Sequence, residues 1–203
     1  MNSVQSMFEG CKELISLDIS NMVTGQVTTF ANLFANCEKI QTLDVSSFDT
    51  SLVTLFEYTF YNCKALQSID FGENDKWDTT QAKMMTSMFE GCSSLTSLNL
   101  SKFQTPYVSV MMDMFKGCSN LQSLNLDNFD TKNVNIMDGM FSGVTSLRSL
   151  YLPKFNSKQV SSCTDMWEGI TEMNLTLYVN QNEYILQNIS KEINIIYLGG
   201  NKY

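Results

Sequence analysis

The residues best suited to chemistry in this chain recur at fixed intervals. Asp18, Asp44 and Asp70 stand 26 residues apart, and the same column continues as Asn99, Asn125 and Tyr151. Carboxylates repeated on neighbouring parallel strands would stand roughly 4.8 Å apart, the ordinary strand spacing. At that distance like charges repel unless they are solvated, share a proton or are bridged by a cation. A solvated polar face is the first expectation, a macromolecular contact surface the second, and calcium binding or catalysis the last. One column over stand Gln41, Gln67, Gln122 and Arg148. Polar strand faces of solenoids are the usual place for partner binding, because stacking makes them long and continuous.

A second recurring group is Cys11, Cys37, Cys63, Cys92 and Cys118, continued by Val144 and Ile170. Val and Ile hold neither a metal nor a disulfide, so the column reads as a buried ladder in which Cys acts as a small hydrophobe. Cys163 belongs to a different inward column, with Phe30, Phe56, Met85, Met111 and Met137. All six thiols are expected to be free, because parallel side-chain vectors disfavour bonding between stacked copies. Unpaired cysteines lean toward a reducing compartment. The chain has no histidine, which excludes Ser-His and Cys-His nucleophiles and imidazole metal sites. Neither a phosphate-cradling glycine loop nor a nucleophile elbow is present. No enzyme, no cofactor and no metal site are expected.

The bulk properties fit one globular domain: 203 residues, 43% hydrophobic and 17% charged. A net charge of -8, with 13 basic residues and no basic stripe, argues against nucleic acid as a partner. No 18-residue apolar run is present, so no direct membrane insertion is expected.

The elements that must position these residues follow from an internal repeat. Aligned on a Met-Phe pair, copies begin at Met7, Leu33, Thr59, Met88, Met114, Met140 and Met166, at intervals of 26 except for one of 29. A period in the twenties with leucines at fixed offsets is that of leucine-rich solenoids. Leu121, Leu124 and Leu126 show the L-x-x-L-x-L spacing, which places inward residues around one short parallel strand per copy. Farther on, Val53, Phe56, Phe60 and Cys63 lie three, four and three apart, as do Val108, Met111, Phe115 and Cys118. Those intervals predict one face of a short amphipathic helix. Asp49-Thr50, Asp78-Thr79 and Asp130-Thr131, with Gln104-Thr105 and Asn156-Ser157, read as its turn and cap residues. Gly10, Asn36, Asn62, Gly91, Gly117, Gly143 and Gly169 precede the cysteine column. Always Gly or Asn, the types that most readily turn left-handed, they read as helix stops.

The expected fold is therefore α/β: a leucine-rich repeat solenoid of about seven 26-residue strand-turn-helix units over residues 1–171. A right-handed winding is expected. Residues 172–203 break register, with "LTLYV", "NEYILQNI" and "INIIYL" reading as strand, helix and strand, a β-α-β-like capping segment of the same domain. The three-residue excess lies around Trp77, a bulged turn with a core tryptophan, and its Glu73-Asn74-Asp75 loop is a lesser binding candidate. Because the first residues already carry the pattern, a longer parent chain holding an address and an anchor is expected.

The consensus "MFxGCxxLxSLxLSxFDTxxVxxM" resembles the BspA-like leucine-rich repeats, in particular the DUF285 type found in surface proteins of low-GC bacteria, mycoplasmas and some mucosal protists. The resemblance spans about Val4 to Met173, and "MFEGCSSLTSLNLSKF" carries it most specifically. It implies a secreted or surface-displayed solenoid that adheres to host matrix proteins or to other microbes. The expected partner is accordingly a protein or glycan, bound through the strand face, with a structural spacer within a larger surface protein as the alternative. No catalytic residues travel with the motif.

Overall fold

The structure, a computed structural model, describes residues 3–73, 76–156, 158–170 and 175–179, with 186, 189 and 193–198. Its coils stack as a parallel β-solenoid. Strands β1 (Thr42–Asp44) and β2 (Ser68–Asp70) pair in one sheet. A second parallel sheet runs β3 (Ser123–Asn125), β4 (Ser149–Leu152), β5 (Thr176–Val179), β6 (Asn194–Tyr197). The leucine spacing acts as predicted: Leu43 and Leu124 are buried while the residues on either side of them are exposed. β5 and β6 fall in "LTLYV" and "INIIYL" and extend the sheet of β4 directly. The predicted helix in "NEYILQNI" lies almost wholly outside the described residues.

A ladder of single parallel bridges joins Thr29, Leu55, Met84, Val110, Ile136 and Ser162. It closes five turns rather than seven units.

The strand-turn-helix description is corrected in kind as well as in number, because no α-helix occurs among the described residues. Where the spacing predicts a helix, residues 30–37 run as consecutive β-turns. The N–H groups of Leu33, Ala35 and Cys37 each donate three residues back, to Phe30, Asn32 and Phe34. Those of Phe30, Asn32, Phe34 and Asn36 donate to the next coil, to the carbonyls of Leu55, Glu57, Thr59 and Tyr61, at 2.7 to 3.0 Å. An α-helix would turn nearly all of these groups onto its own carbonyls and leave none for a neighbour. The alternation recurs at Met111, Asp113, Phe115 and Gly117, which donate to Ile136, Asp138, Met140 and Ser142.

The first and third of these turns have a positive φ at their third residue, the type II arrangement, so each coil has two such residues four apart: Asn32 and Asn36 at 57° and 61°, Asp113 and Gly117 at 54° and 71°. The column Gly10, Asn36, Asn62, Gly91, Gly117, Gly143, Gly169 is thus left-handed throughout, as its composition predicts. Its members are turn residues, not helix stops. At Gly91 a Cβ would stand 2.3 Å from Asn62 Oδ1, so any side chain there has to displace that amide as well as adopt a positive φ.

The Asp-Thr column is corrected likewise, since it caps no helix. Asp49, Asp78 and Asp130 accept the N–H of Ser51, Thr80 and Lys132, closing local turns at 2.7 to 3.1 Å. Ser157 lies outside the described residues. The threonines are buried staples between coils. Thr24, Thr50, Thr79 and Thr131 each accept the N–H of a residue on the next coil and donate to its carbonyl, at 2.6 to 3.2 Å.

Inside, Phe8, Phe34, Phe60, Phe89, Phe115, Phe141 and Trp167 form one stack, with ring centroids 5.2 to 5.9 Å apart. Trp77 is buried, against Phe30, Phe56, Phe71 and Phe103. Replacing Phe115 with Ala removes a fully buried ring from this stack, and urea denaturation should show a loss of about 3–5 kcal/mol. Thr79→Val preserves volume but strands a backbone N–H and carbonyl at Gln104. The same experiment should show a loss of roughly 1–3 kcal/mol, with Thr79→Ser near the parent.

Candidate functional site

The repeat brings the polar column onto one face. Asp44 and Asp70 are register partners on β1 and β2, Asn125 and Tyr151 on β3 and β4, and Tyr151 and Tyr178 on β4 and β5. Asp18, Asp44, Asp70, Asn99 and Asn125 are exposed and Tyr151 is half-buried. Gln41, Gln67, Gln122 and Arg148 are exposed beside them. Their backbones continue the ladder, Gln67 N–H to Gln41 and Arg148 N–H to Gln122, both at 2.8 Å.

Most of these side chains also build the corner of their own coil. Oδ1 of Asp18, Asp44, Asp70, Asn99 and Asn125 accepts the N–H two residues on, from Ser20, Ser46, Gly72, Ser101 and Asp127, at 2.7 to 3.1 Å. Only Asp and Asn offer that geometry so readily. The hydroxyl and N–H of Ser20 hold the Asp18 carboxyl below its ordinary range, and Ser46 does the same for Asp44 against the opposing push of the Asp18 charge. Ion pairs lie on other columns, such as Lys12 and Lys64 with Glu38 and Lys132 with Asp130. Among the described residues no three His, Cys, Asp or Glu side chains converge as metal ligands would.

Residues 16–18, at the start of the face, belong to neither sheet, and nor do residues 97–99, which separate β2 from β3. The rung at 97–99 follows the coil that carries the three-residue excess. A cleft opens on each side of it. One lies between Asp70, Gly72, Glu73, Asn99 and Lys102, the other between Asn99, Ser101, Asn125, Asp127 and Asn128. Lys102 Nζ donates to the Glu73 carbonyl at 2.9 Å, tying the bulged corner to the next one; Asn74 and Asp75 lie outside the described residues. Ser101, Lys102, Asp127 and Asn128 are not in the columns picked out from sequence. They sit two or three residues past a column residue, so the corner turn itself was the available signal.

Tyr178 was also missed. Its ring stacks on Tyr151 with centroids 4.1 Å apart and planes within 2°. A hydrogen bond with Tyr178 pushes the Tyr151 hydroxyl above its ordinary pKa. Tyr178 lies past the point where the 26-residue register fails, and only the strand alternation of "LTLYV" aligns it.

The cysteine column packs as predicted except at its first member. Cys37, Cys63, Cys92 and Cys118 are buried, but Cys11 is exposed, because no described coil lies over it. Cys163 is half-buried, and all six are free. The four buried thiols donate to the carbonyls of Phe8, Phe34, Phe60 and Phe89 at 3.1 to 3.2 Å. Burial pushes Cys37 up to about 11 and Cys118 up to about 12, and raises Cys63 and Cys92 as well. These thiols stay protonated at neutral pH.

Stacked coils presenting a polar strand face define a repeat protein of the solenoid class. The chain belongs to the family described as Mycoplasma protein of unknown function, DUF285, whose sequence model matches residues 1–74 and 67–180. No curated protein matches it.

Because the thiolate is the reactive form, a chromogenic disulfide reagent should modify Cys11 first and Cys163 more slowly. Cys37, Cys63, Cys92 and Cys118 should react only after unfolding; mass mapping of the labelled peptides checks the order.

Proposed function

We propose that the chain is a non-enzymatic binding or adhesion module that holds a protein or glycan partner through its polar strand face. The observation that carries this reading is the strand-face column itself. Asp18, Asp44, Asp70, Asn99 and Asn125 are exposed on successive coils, and each is fixed by a hydrogen bond to its own corner. A contact surface gains from such preorganisation, since less side-chain freedom is lost when a partner docks. The consensus and the family match support a further step, that the chain is a BspA-like leucine-rich repeat protein displayed on a cell surface or secreted. On this reading the partner lies in a host matrix or on another microbe; nucleic acid and direct membrane insertion play no part, and no cofactor is used. The regular stacking of coils supports a second reading, a spacer within a larger surface protein. A carboxylate- or calcium-dependent activity ranks last.

The decisive variant replaces Asp18, Asp44 and Asp70 together with Asn, which removes the charges and keeps each turn-making oxygen. Binding of the parent and the variant to immobilised matrix proteins, mucins and glycans should differ by at least roughly tenfold, with thermal stability retained. Equal binding by both would remove the carboxylate column from the contact, and no binding by the parent would favour the spacer.

A further inference from the structure

The strand face changes chemistry along its length. It begins with carboxylates and ends in an amide, Asn125, beside the stacked pair Tyr151 and Tyr178. We propose that Asn125, Asp127 and Tyr151 form a subsite for one pyranose ring of a neutral oligosaccharide. This deepens the strand-face reading and rests on it.

A sugar ring has an apolar C–H face and a hydroxyl rim, so it needs an aromatic surface next to oriented donors and acceptors. Both are here. Asn125 is the register partner of Tyr151, one strand spacing of about 4.8 Å away. Its side chain is much shorter than a tyrosine's, so the outer part of the Tyr151 ring overhangs the Asn125 rung. Tyr178 covers the opposite face of that ring and holds it in place. Below the overhang, Asn125 Oδ1 accepts the Asp127 N–H at 2.9 Å, and Asn125 Nδ2 donates to Asp127 Oδ2 at 3.2 Å. Those two bonds orient the amide and the carboxylate. They leave one amide hydrogen and several carboxylate lone pairs for a pair of adjacent hydroxyls. The cleft between Asn99 and Asn125 continues from the same rung and gives room for the next sugar.

The surroundings select this occupant over an extended peptide. Peptides that add to a sheet need an unpaired strand edge, and at Tyr151 the backbone is already paired with β3 on one side and β5 on the other. Asp127 disfavours an anionic ligand by like-charge repulsion.

Isothermal titration of the whole chain with tetrasaccharides of glucose, N-acetylglucosamine, mannose and galactose tests the subsite. The variants are residues the column already uses, so the fold tolerates them. Asn125→Asp keeps the turn-making oxygen and removes the donor; Tyr151→Asn removes the aromatic face. The parent should bind at least one of the four, each variant should weaken that binding about tenfold or more, and Lys132→Gln, on a column away from the strand face, should leave it unchanged. Binding of none of the four by the parent, or equal binding by both subsite variants, overturns the proposal. If no sugar binds while the triple Asn variant still loses a matrix protein, the subsite fails and the strand-face reading stands.

Discussion

Every second N–H in the arc of each coil is aimed at the coil beyond it, and the rest of the molecule follows from that alternation. Because Phe34 donates to Thr59 and Phe60 to Met88, consecutive coils superimpose in phase, and each side chain sits over its own counterpart. A core built this way needs residues that pack against copies of themselves. Phenylalanine does so by parallel stacking, and cysteine by sending its thiol to the carbonyl of the preceding coil. Threonine does so by bridging an N–H and a carbonyl. Departures survive when their polar atoms are satisfied. Thr59 stands in a column otherwise Met or Leu, and its hydroxyl donates to Phe56 at 2.7 Å and also reaches the Phe30 carbonyl.

The same economy ties the strand face to the corners. A column residue whose oxygen must accept the N–H two positions on is confined to Asp or Asn, and that restriction explains the chemistry shown by Asp18, Asp44, Asp70, Asn99 and Asn125. Tyr151 is the exception that confirms the cause. Two residues beyond it stands Pro153, which has no N–H to cap and whose ring fixes φ. With the corner set by proline, the column is released from turn-making and can carry an aromatic side chain. Surface chemistry on this solenoid is therefore governed by corner type.

How much of this was legible follows from the same geometry. The inward leucines, the phenylalanine and cysteine columns and the left-handed Gly/Asn column were readable because a stacked repeat imposes one residue type per position. The helix was misread for a physical reason. Two positive-φ residues four apart return side chains to the core at intervals of three and four, the intervals of a helix face. The distinguishing signal was the first of the two, the column Ser6, Asn32, Tyr58, Ser87, Asp113, Gly139, Asp165, all with positive φ. Ser, Asn, Asp and Gly are poor helix-interior residues and good turn residues, and Tyr58 alone hides the rule. The polar column was found as a face, but its turn-making bonds were not, since residue spacing carries no information on which atom a carboxylate meets.

The insertion shows how rigid this scheme is. Phe71 and Trp77 are six positions apart where Val45 and Phe48, or Leu100 and Phe103, are three. The coil still closes on both sides, with Met84 bridged to Leu55 and to Val110 in normal register, so the excess is not absorbed along the ladder. It falls instead between Phe71 and Trp77, which are both buried in the core. Gly72, at φ 77°, lies so near Ser46 that a Cβ would stand 2.9 Å from the Ser46 Cβ, so the chain passes that point at a residue without one. On the following coil, residues 97–99 fall out of the sheet, and the two clefts open around Asn99. The relief on the strand face thus stands beside the 29-residue coil.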